Sequence, residues 1–482
     1  MINYRIIAKV LGVLLLIIGA LMWTGLPVSW YFQSGDMSSL FWSGVICLGA
    51  GGLLRLPRLG ADRSVRKREG YLIVALGWLV MVLFGMLPYV LSGVIPGFAD
   101  ALFETVSGMT TTGASVLTKI EGQPEGILYW RSLTQWIGGM GIIVLTVAIF
   151  PLLGIGGVEL FVAEAPGPTS DKLHPRISET AKRLWLIYVG LTGILALLLL
   201  LEGMTLYEAV NHALTTMATG GFSTRNNSMA AFSPTIQYTI CVFMFLAGVN
   251  YTVIYFGLKG KFKRVWASDE FRAYLGLILL LTVIVTFTVH HAVDITWEQA
   301  FRDSIFQIIS LITTTGFVSA DYTSWTVGLT LLFFITLFIG ACAGSTSGGI
   351  KIVRNLVFFK NSFLEFKRIL HPRAIIPLRL NGEIVKGRII THIIIFLLLY
   401  LMIFIFGSLA LAWMGLDFLT AIGAVATSLG NVGPGIGKVG PVDNFAWLPA
   451  EAKILLSFLM LLGRLELFTI LVLFTPYFWK AN

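Results

Sequence analysis

Long apolar stretches alternate with short polar ones along most of this chain. A helix needs about 20 mostly apolar residues to cross a bilayer. Stretches that meet or approach this length lie at residues 7–26, 37–54, 71–95, 132–153, 184–201, 235–258, 273–293, 327–343, 389–416 and 454–479. The pattern therefore predicts an all-α integral membrane protein with ten spanning helices. No convincing small-residue cleavage site follows the first stretch, so we interpret it as a retained helix rather than a signal peptide.

The composition and the cysteines agree with a membrane location. Hydrophobic residues make up 56% of the chain, charged residues make up only 12%, and the mean hydropathy is +0.84. No soluble core requires so much apolar surface. Cys47, Cys241 and Cys342 lie within or at the ends of apolar stretches without metal-ligand spacing. We interpret them as small core residues.

Basic residues are distributed unevenly between the apolar stretches. The N-terminus, segments 55–68, 153–183, 258–272 and 351–388, and Lys480 together contain 27 of the 34 lysines and arginines. These segments fall on one side of the ten-helix arrangement, which the positive-inside rule assigns to the cytoplasm together with both termini. The net charge of +9 is therefore a topology signal and not evidence for nucleic-acid binding. The more acidic outer side would concentrate cations.

A short glycine-centred motif recurs four times, each time between two apolar stretches. The copies are Thr110-Thr111-Thr112-Gly113-Ala114-Ser115, Thr219-Gly220-Gly221-Phe222-Ser223, Thr313-Thr314-Thr315-Gly316-Phe317 and Ser428-Leu429-Gly430-Asn431-Val432-Gly433-Pro434. Their aligned glycines at 113, 221, 316 and 433 are 108, 95 and 117 residues apart, which indicates duplication of one unit. A single copy would be explained equally well as a polar turn, but four equivalent copies favour a shared role.

A moderately apolar stretch of about three helical turns precedes each glycine. These stretches run from Ala101 to Thr110, Leu206 to Met217, Gln299 to Ile312 and Phe418 to Ser428. They are too short to cross the membrane, so we predict re-entrant half-helices. Acidic residues cluster near their starts, at Asp100, Glu104, Glu208, Glu298 and Asp417. This placement complements the helix dipoles and leaves their negative ends directed toward the glycines, where a cation is favoured.

The four motifs have the chemistry of a selectivity filter. Irregular backbone at membrane depth is tolerated where it lines a cavity, and glycine lets several carbonyls turn toward one axis. Rings of carbonyl oxygens replace the hydration shell of a monovalent cation, whereas divalent-cation and anion pathways use rings of charged side chains. The motifs contain no charged residue. The sequence therefore predicts four loops that converge on one pore.

Together, the four motifs, the two leading helices, the glycine-rich break at 340–350 and the stretch Gly463-Arg464-Leu465-Glu466 resemble a known family. The chain resembles the TrkH-like membrane subunit of Trk-type potassium uptake systems, in the Trk/Ktr/HKT superfamily, over essentially its whole length. The resemblance implies four helix–pore helix–helix repeats in a pseudo-fourfold arrangement around one pore, after two extra transmembrane helices. The implied divisions are 1–69 for the leading helices and 70–182, 183–271, 272–387 and 388–482 for the four repeats.

The resemblance also implies which residues bind the transported ion, K⁺. The implied ligands are the main-chain carbonyls of Thr111, Thr112, Gly113, Thr219, Gly220, Gly221, Thr314, Thr315, Gly316, Asn431, Val432 and Gly433. Members of the family with serine at the first glycine position are associated with sodium permeation, so Gly113 favours potassium by analogy. Asn431 and Val432 depart from the pattern of the other copies, which puts strict fourfold coordination in question.

Two further features concern gating. The eighth apolar stretch, 327–343, ends in the segment 340–350, which contains too many small and polar residues for an uninterrupted helix. A mobile loop below the filter and a helix that simply ends at Ala343 explain this segment equally well. The resemblance favours the loop, with Gly344, Ser345, Thr346, Ser347, Gly348 and Gly349 as gate residues.

Arg464 lies near the middle of the last apolar stretch, where an uncompensated charge costs about 3 kcal/mol or more. The residues alone leave open an electrostatic barrier beside the pore, an ion pair, or an arginine bonded to backbone carbonyls. The resemblance implies a gate element at Arg464, with Glu466 in support.

The basic, aromatic-rich segment 351–388 suits contact with anionic lipid or with a protein partner. The resemblance implies a location in the bacterial inner membrane. It also implies two partners, namely cytosolic nucleotide-binding TrkA-like regulatory subunits and a second copy of this chain in a homodimer. The chain has no dinucleotide or phosphate-loop motif and implies no organic cofactor.

Other classes of function fit less well. A secondary transporter predicts inverted repeats, a voltage-gated channel predicts arginine-rich sensor helices, and an enzyme predicts a nucleophile and base constellation. None of these patterns is present. Potassium uptake through a channel-like pore is the favoured function, and potassium symport coupled to protons or sodium is the alternative.

Overall fold

The protein is described by a computed structural model that covers residues 2–55, 67–141 and 177–480. Within these ranges it is helical apart from loops and one small antiparallel hairpin of β1 (Arg379–Leu380) and β2 (Glu383–Ile384). Six helical segments in the described residues are long and apolar enough to cross a membrane. The expectation of an all-α membrane protein is confirmed.

The leading segment forms a tightly packed helical hairpin. It contains α1 (Tyr4–Trp23), α2 (Leu26–Phe32) and α3 (Met37–Arg55). Gly12 and Gly19 of α1 face Gly51 and Gly44 of α3, and a Cβ at Gly12 would lie only 2.8 Å from the Gly51 carbonyl oxygen. Small residues at seven-residue spacing allow the two backbones this close approach.

Four units follow, each with a long helix, a short helix and a second long segment. The first contains α4 (Lys67–Gly85), α5 (Leu87–Ser92), the short α6 (Phe98–Met109) and α7 (Glu125–Trp136), which continues into a π-helical turn at Ile137–Gly141. The second contains α8 (Ile177–Leu201), the short α9 (Leu206–Met217), α10 (Pro234–Gly248), α11 (Tyr251–Leu258) and α12 (Phe262–Trp266). The third contains α13 (Asp269–Ala292), the short α14 (Trp297–Ile312), α15 (Val327–Thr336) and α16 (Ile352–Leu370). The fourth contains α17 (Gly387–Trp413), the short α18 (Phe418–Gly430), α19 (Ala450–Arg464), α20 (Phe468–Leu471) and α21 (Pro476–Trp479).

The short helices form the buried centre of the molecule and agree closely with the predicted half-helices. Polar caps explain where three of them begin. Thr205 and Glu208 form a capping box at the start of α9, Thr296 caps α14, and the Asp417 side chain accepts a hydrogen bond from the Thr420 amide at the start of α18. The long helices surround this centre and expose apolar side chains outward, as lipid contact requires.

The packing of the units is cyclic. The short helix α9 packs on α7 of the preceding unit, and α14 packs on α10 in the same way. The short helix α6 of the first unit packs on α19 of the fourth. Because the last unit contacts the first, the four units close into a circle, in agreement with the expected pseudo-fourfold arrangement.

In the second, third and fourth units, the second long segment differs from the uninterrupted span that the hydrophobic pattern predicts. The predicted spans 235–258 and 454–479 are bent by 110° and 107°, at breaks after Gly248 and after Arg464. The predicted span 327–343 is wrong, because α15 ends at Thr336 and irregular chain follows as far as Lys351. Three predicted segments lie mostly outside the described residues, namely the span 132–153 and the basic segments 55–68 and 153–183.

Local interactions explain the breaks. After α10, the Asn250 side chain accepts a hydrogen bond from the Thr252 amide and starts a new helix in another direction. After α19, Glu466 and Leu467 both have left-handed backbone, with φ of 54° and 53°. Residues with left-handed backbone conformation end a helix, and hydropathy alone does not show where they occur.

Candidate functional site

The four short helices end in the same way. In each, the amide of the residue before the motif glycine donates to a carbonyl five residues earlier, and the preceding amide donates to a carbonyl three residues earlier. The longer bonds are Thr112 N to Ser107 O at 2.8 Å, Gly220 N to Thr215 O at 2.9 Å, Thr315 N to Ser310 O at 2.8 Å and Val432 N to Thr427 O at 3.0 Å. This double bond pattern is the Schellman arrangement, and it gives all four motifs one starting geometry.

The backbone after this cap also follows one pattern. The residue two before each glycine is left-handed, with φ of 56° at Thr111, 54° at Thr219, 55° at Thr314 and 53° at Asn431. The glycines themselves have φ of 85°, 76°, 77° and 104°. The left-handed conformation costs an L-residue about 1–2 kcal/mol, and it is least suited to a β-branched side chain such as threonine. Strain of this kind persists only where the surrounding structure imposes it.

The four motifs touch one another in a closed cycle. A Cβ placed on Gly113 would lie 2.2 Å from the Gly220 carbonyl oxygen, and one on Gly221 would lie 2.0 Å from that of Thr315. A Cβ on Gly316 would lie 2.0 Å from the Val432 oxygen, and one on Gly433 would lie 2.7 Å from the Thr112 oxygen. Each glycine therefore abuts the carbonyl just before the glycine of the next unit.

This cycle brings the four sequence-predicted filter motifs, with their twelve predicted residues, together in one place. Their positions are buried or half-buried in the centre of the molecule. No side chain fits at the four glycines without displacing a carbonyl group of a neighbouring unit.

The fourth motif uses an amide side chain where the others have threonine. Asn431 donates through Nδ2 to the Thr112 hydroxyl of the first unit at 3.0 Å and to the Met460 carbonyl of α19 at 2.9 Å. Asparagine tolerates left-handed backbone better than most residues. Asn431 thus has the same backbone conformation as the threonines of the other motifs, and it adds a hydrogen bond to the first unit.

Irregular chain between α15 and α16, which we call the intramembrane loop (residues 337–351), lies directly beside the motifs. The Gly348 amide donates to the Thr314 hydroxyl at 2.7 Å. The Thr346 hydroxyl donates to the carbonyls of Met217, at the end of α9, and Ala247, near the end of α10. A Cβ at Gly348 would lie 2.6 Å from the Gly430 carbonyl oxygen. The loop therefore contacts the second, third and fourth units together.

The two ends of the intramembrane loop are joined at its base. The Gly340 amide donates to the Ile350 carbonyl at 2.9 Å. One carboxylate oxygen of Glu270, in the first turn of α13, accepts from the amides of Ala343 at 2.7 Å and Val353 at 3.2 Å. Sequence reasoning missed Glu270, because its partners lie more than 70 residues away.

Arg464 binds backbone carbonyls of two other units. Its guanidinium donates to Thr346 O of the intramembrane loop at 2.7 Å, and to Gly138 O and Gly139 O of the first unit at 2.6 Å each. Glu466 forms an ion pair with Arg354 of α16. The structure thus shows the bonding to backbone carbonyls that the sequence left open for Arg464, and this bonding ties the loop to the first unit.

A buried ion pair lies beside the first two motifs. Glu104 of α6 and Arg131 of α7 approach to 2.6 Å with side chains 0% and 3% exposed. Glu104 also accepts from the Val116 amide, and Arg131 donates to the Ser223 carbonyl and covers the Phe222 ring at 3.4 Å. The sequence analysis placed Glu104 near the start of a half-helix as a complement to its dipole and did not pair it with Arg131, although two opposite charges in apolar surroundings could have suggested a pair.

Four loops of one chain, closed into a cycle and each flanked by apolar helices, define a pseudo-fourfold, multi-pass membrane protein built around a central axis. The family model TrkH, a cation transport protein, matches residues 37–480, and the chain belongs to this family. It is a transport protein and not an enzyme. The resemblance drawn from the sequence is confirmed.

Named relatives match the chain from end to end. The Trk system potassium uptake proteins TrkH of Salmonella typhimurium and Escherichia coli K12 are each 41% identical, over 99% of this chain and 100% of theirs. The crystal structure of the potassium transporter TrkH from Vibrio parahaemolyticus matches with a TM-score of 0.89 at 36% identity. That match covers 99% of this chain and 100% of the other.

Proposed function

We propose that this protein takes up potassium across the bacterial inner membrane through a channel-like pore. In this proposal the carbonyls of the twelve motif residues form the selectivity filter and take the place of water around a dehydrated K⁺. The observation that carries the proposal is the closed cycle of contacts between each motif glycine and the carbonyl of the next unit. The names of the relatives, which are potassium uptake proteins, support the choice of ion.

We propose that the intramembrane loop is the gate, with residues 344–349 as its moving part. Its contacts with three units beside the motifs support this role, because chain in that position would obstruct the proposed pore. Arg464 would stabilise the closed loop through its bond to the Thr346 carbonyl. Its positive charge near the axis would also raise the energy of a passing cation.

The cytoplasmic face and the assembly complete the proposal. The basic segments would face the cytoplasm, together with both termini. The amphipathic α16, with exposed Phe359, Phe363 and Phe366, would contact lipid and TrkA-like regulatory subunits, and two copies of the chain would form a homodimer. We also propose that the leading helices end at residue 69 and that the first three repeats end at residues 182, 271 and 387.

The test is ion flux and competition in proteoliposomes with Gly113→Ser. A Cβ at Gly113 would lie 2.2 Å from the Gly220 carbonyl oxygen, so serine must displace a filter carbonyl. We expect weakened preference for K⁺ over Na⁺. Gly93→Ser is the matched control, since Gly93 has a similar φ of 74° but nothing within 4 Å of its Cβ position.

Two results would count against the proposal. Unchanged selectivity in Gly113→Ser would remove Gly113 from the filter. Potassium movement only with stoichiometric proton or sodium flux would replace the channel-like pore with a symporter.

A further inference from the structure

The residue directly before each motif glycine carries the carbonyl that touches the neighbouring unit. The side-chain contacts that hold this residue differ between the units. In the first unit the hydroxyls of Thr110 and Thr112 are 2.7 Å apart. In the third unit Thr313 and Thr315 repeat this pair at 2.8 Å. These pairs fix the threonine side chains behind the ring. The second unit has no such pair, because alanine and glycine occupy the two equivalent positions.

A glutamine from the first unit occupies the corresponding space behind the second motif. Gln135 of α7 is fully buried, and a Cβ at Gly220 would lie 2.3 Å from its Cδ. Its Nε2 donates to the Gly220 carbonyl oxygen at 2.6 Å, and its Oε1 accepts from the Phe222 amide at 3.1 Å. One side-chain amide therefore holds the backbone on both sides of Gly221.

The held oxygen belongs to the cycle of the four motifs. The Gly220 carbonyl is the group that faces Gly113 of the first unit. A carbonyl oxygen has two lone pairs, so a bond from Gln135 leaves one for another partner. Because glycine has no side chain to restrict its backbone, the direction of this carbonyl depends on the groups that contact it.

We propose that Gln135 is a positioning residue that sets the direction of the Gly220 carbonyl and thereby contributes to ion selectivity. It also explains why glycine precedes Gly221, since a threonine at that position would displace the glutamine. The inference rests on the proposed filter and adds a side chain from outside the four motifs to it.

Gln135→Ala tests the inference by competition of K⁺, Rb⁺ and Na⁺ in proteoliposomes. A neutral hydrogen bond contributes a modest net free energy, so we expect discrimination between K⁺ and Na⁺ to fall by a factor of about two to ten, with potassium flux retained. Gln237→Ala is the matched control. Gln237 is also buried and binds two backbone carbonyls, those of Met229 and Phe232, away from the motifs.

A second variant tests the same contact from the other side. Gly220→Ala would push the glutamine amide away, since the added Cβ takes its place. If both changes break one contact, the double variant Gln135→Ala with Gly220→Ala loses no more selectivity than either single variant. Additive losses would contradict the inference.

The remaining outcomes separate this inference from the proposed function. Unchanged selectivity in Gln135→Ala, with a loss in Gly113→Ser, overturns the role of Gln135 and leaves the filter in place. Equal losses in Gln135→Ala and Gln237→Ala would indicate general loosening and also overturn it. Unchanged selectivity in both Gln135→Ala and Gly113→Ser overturns the filter itself.

Discussion

Glu270 is the residue whose replacement should open the intramembrane loop. A single carboxylate oxygen accepts hydrogen bonds from the amides of Ala343 and Val353, which lie on the two sides of residues 344–349. The side chain is buried, with 9% of its surface exposed. Glu270→Gln keeps the shape of the side chain and an acceptor oxygen but removes the charge.

The size of the effect follows from the two bonds. A hydrogen bond to a charged group contributes about 1.5–3 kcal/mol, and one between neutral groups about 0.5–1.5 kcal/mol. The change to glutamine therefore weakens the closed loop by ~1 kcal/mol for each bond, or ~2 kcal/mol together. A change of that size raises the ratio of open to closed loop by roughly 30-fold.

Cys342 reports this opening directly. It lies in the loop next to Ala343 and is 1% exposed. With Cys47 and Cys241 replaced by alanine, the rate of alkylation by a water-soluble maleimide follows the population of the open loop. We expect faster alkylation in Glu270→Gln, together with higher basal potassium flux and unchanged selectivity.

Glu298→Gln serves as the control for this experiment. It removes an acidic residue from the first turn of another helix in the same unit, where the carboxylate pairs with Arg302. Wild-type alkylation in Glu270→Gln would refute the reasoning about the two bonds. Faster alkylation without any change in flux would show instead that the loop opens but does not gate the pore.

Two further predictions concern stability. Gly12→Leu should lower the thermal unfolding temperature, because overpacking against Gly51 costs about 1–3 kcal/mol. Gly49→Leu on the same helical hairpin meets open space and should change this temperature little. Equal shifts in the two variants would contradict close packing of the hairpin. Glu104→Gln should destabilise the protein by up to about 3–5 kcal/mol, because it leaves the buried Arg131 charge uncompensated. Adding Arg131→Met should recover part of that loss in the same thermal assay, and no recovery would mean that the two charges act independently.

Much of the architecture could be predicted from residue patterns. Apolar stretches identified the long helices because crossing a bilayer imposes a minimum length on them. The short helix α9 matches its predicted bounds, Leu206–Met217, because a capping box starts it and a glycine motif ends it. The four glycines were recognisable since one unit was repeated at similar intervals, and repetition is visible without any contact.

Bends and loops within the second long segments were not predictable in the same way. Hydropathy averages over a window, so the apolar residues on both sides of Gly248 and Arg464 read as single spans. The direction that the chain takes at a break depends on a few dihedral angles, such as the left-handed backbone at Glu466. For this reason hydropathy alone left a helix as far as Ala343 and a loop equally open, and only the family resemblance favoured the loop that the structure has.

By itself, then, the sequence determined the membrane class, the four units and the positions of the motif glycines, because each of these follows from composition or spacing along one segment. Only the tertiary structure decided which groups hold the motifs in place. Gln135 reaches Gly220 across 85 residues, and Arg464 reaches Gly138 across 326. Hydrogen bonds of this kind depend on distance and direction in space, and cyclic packing of the units brings together residues that the order of the chain keeps far apart.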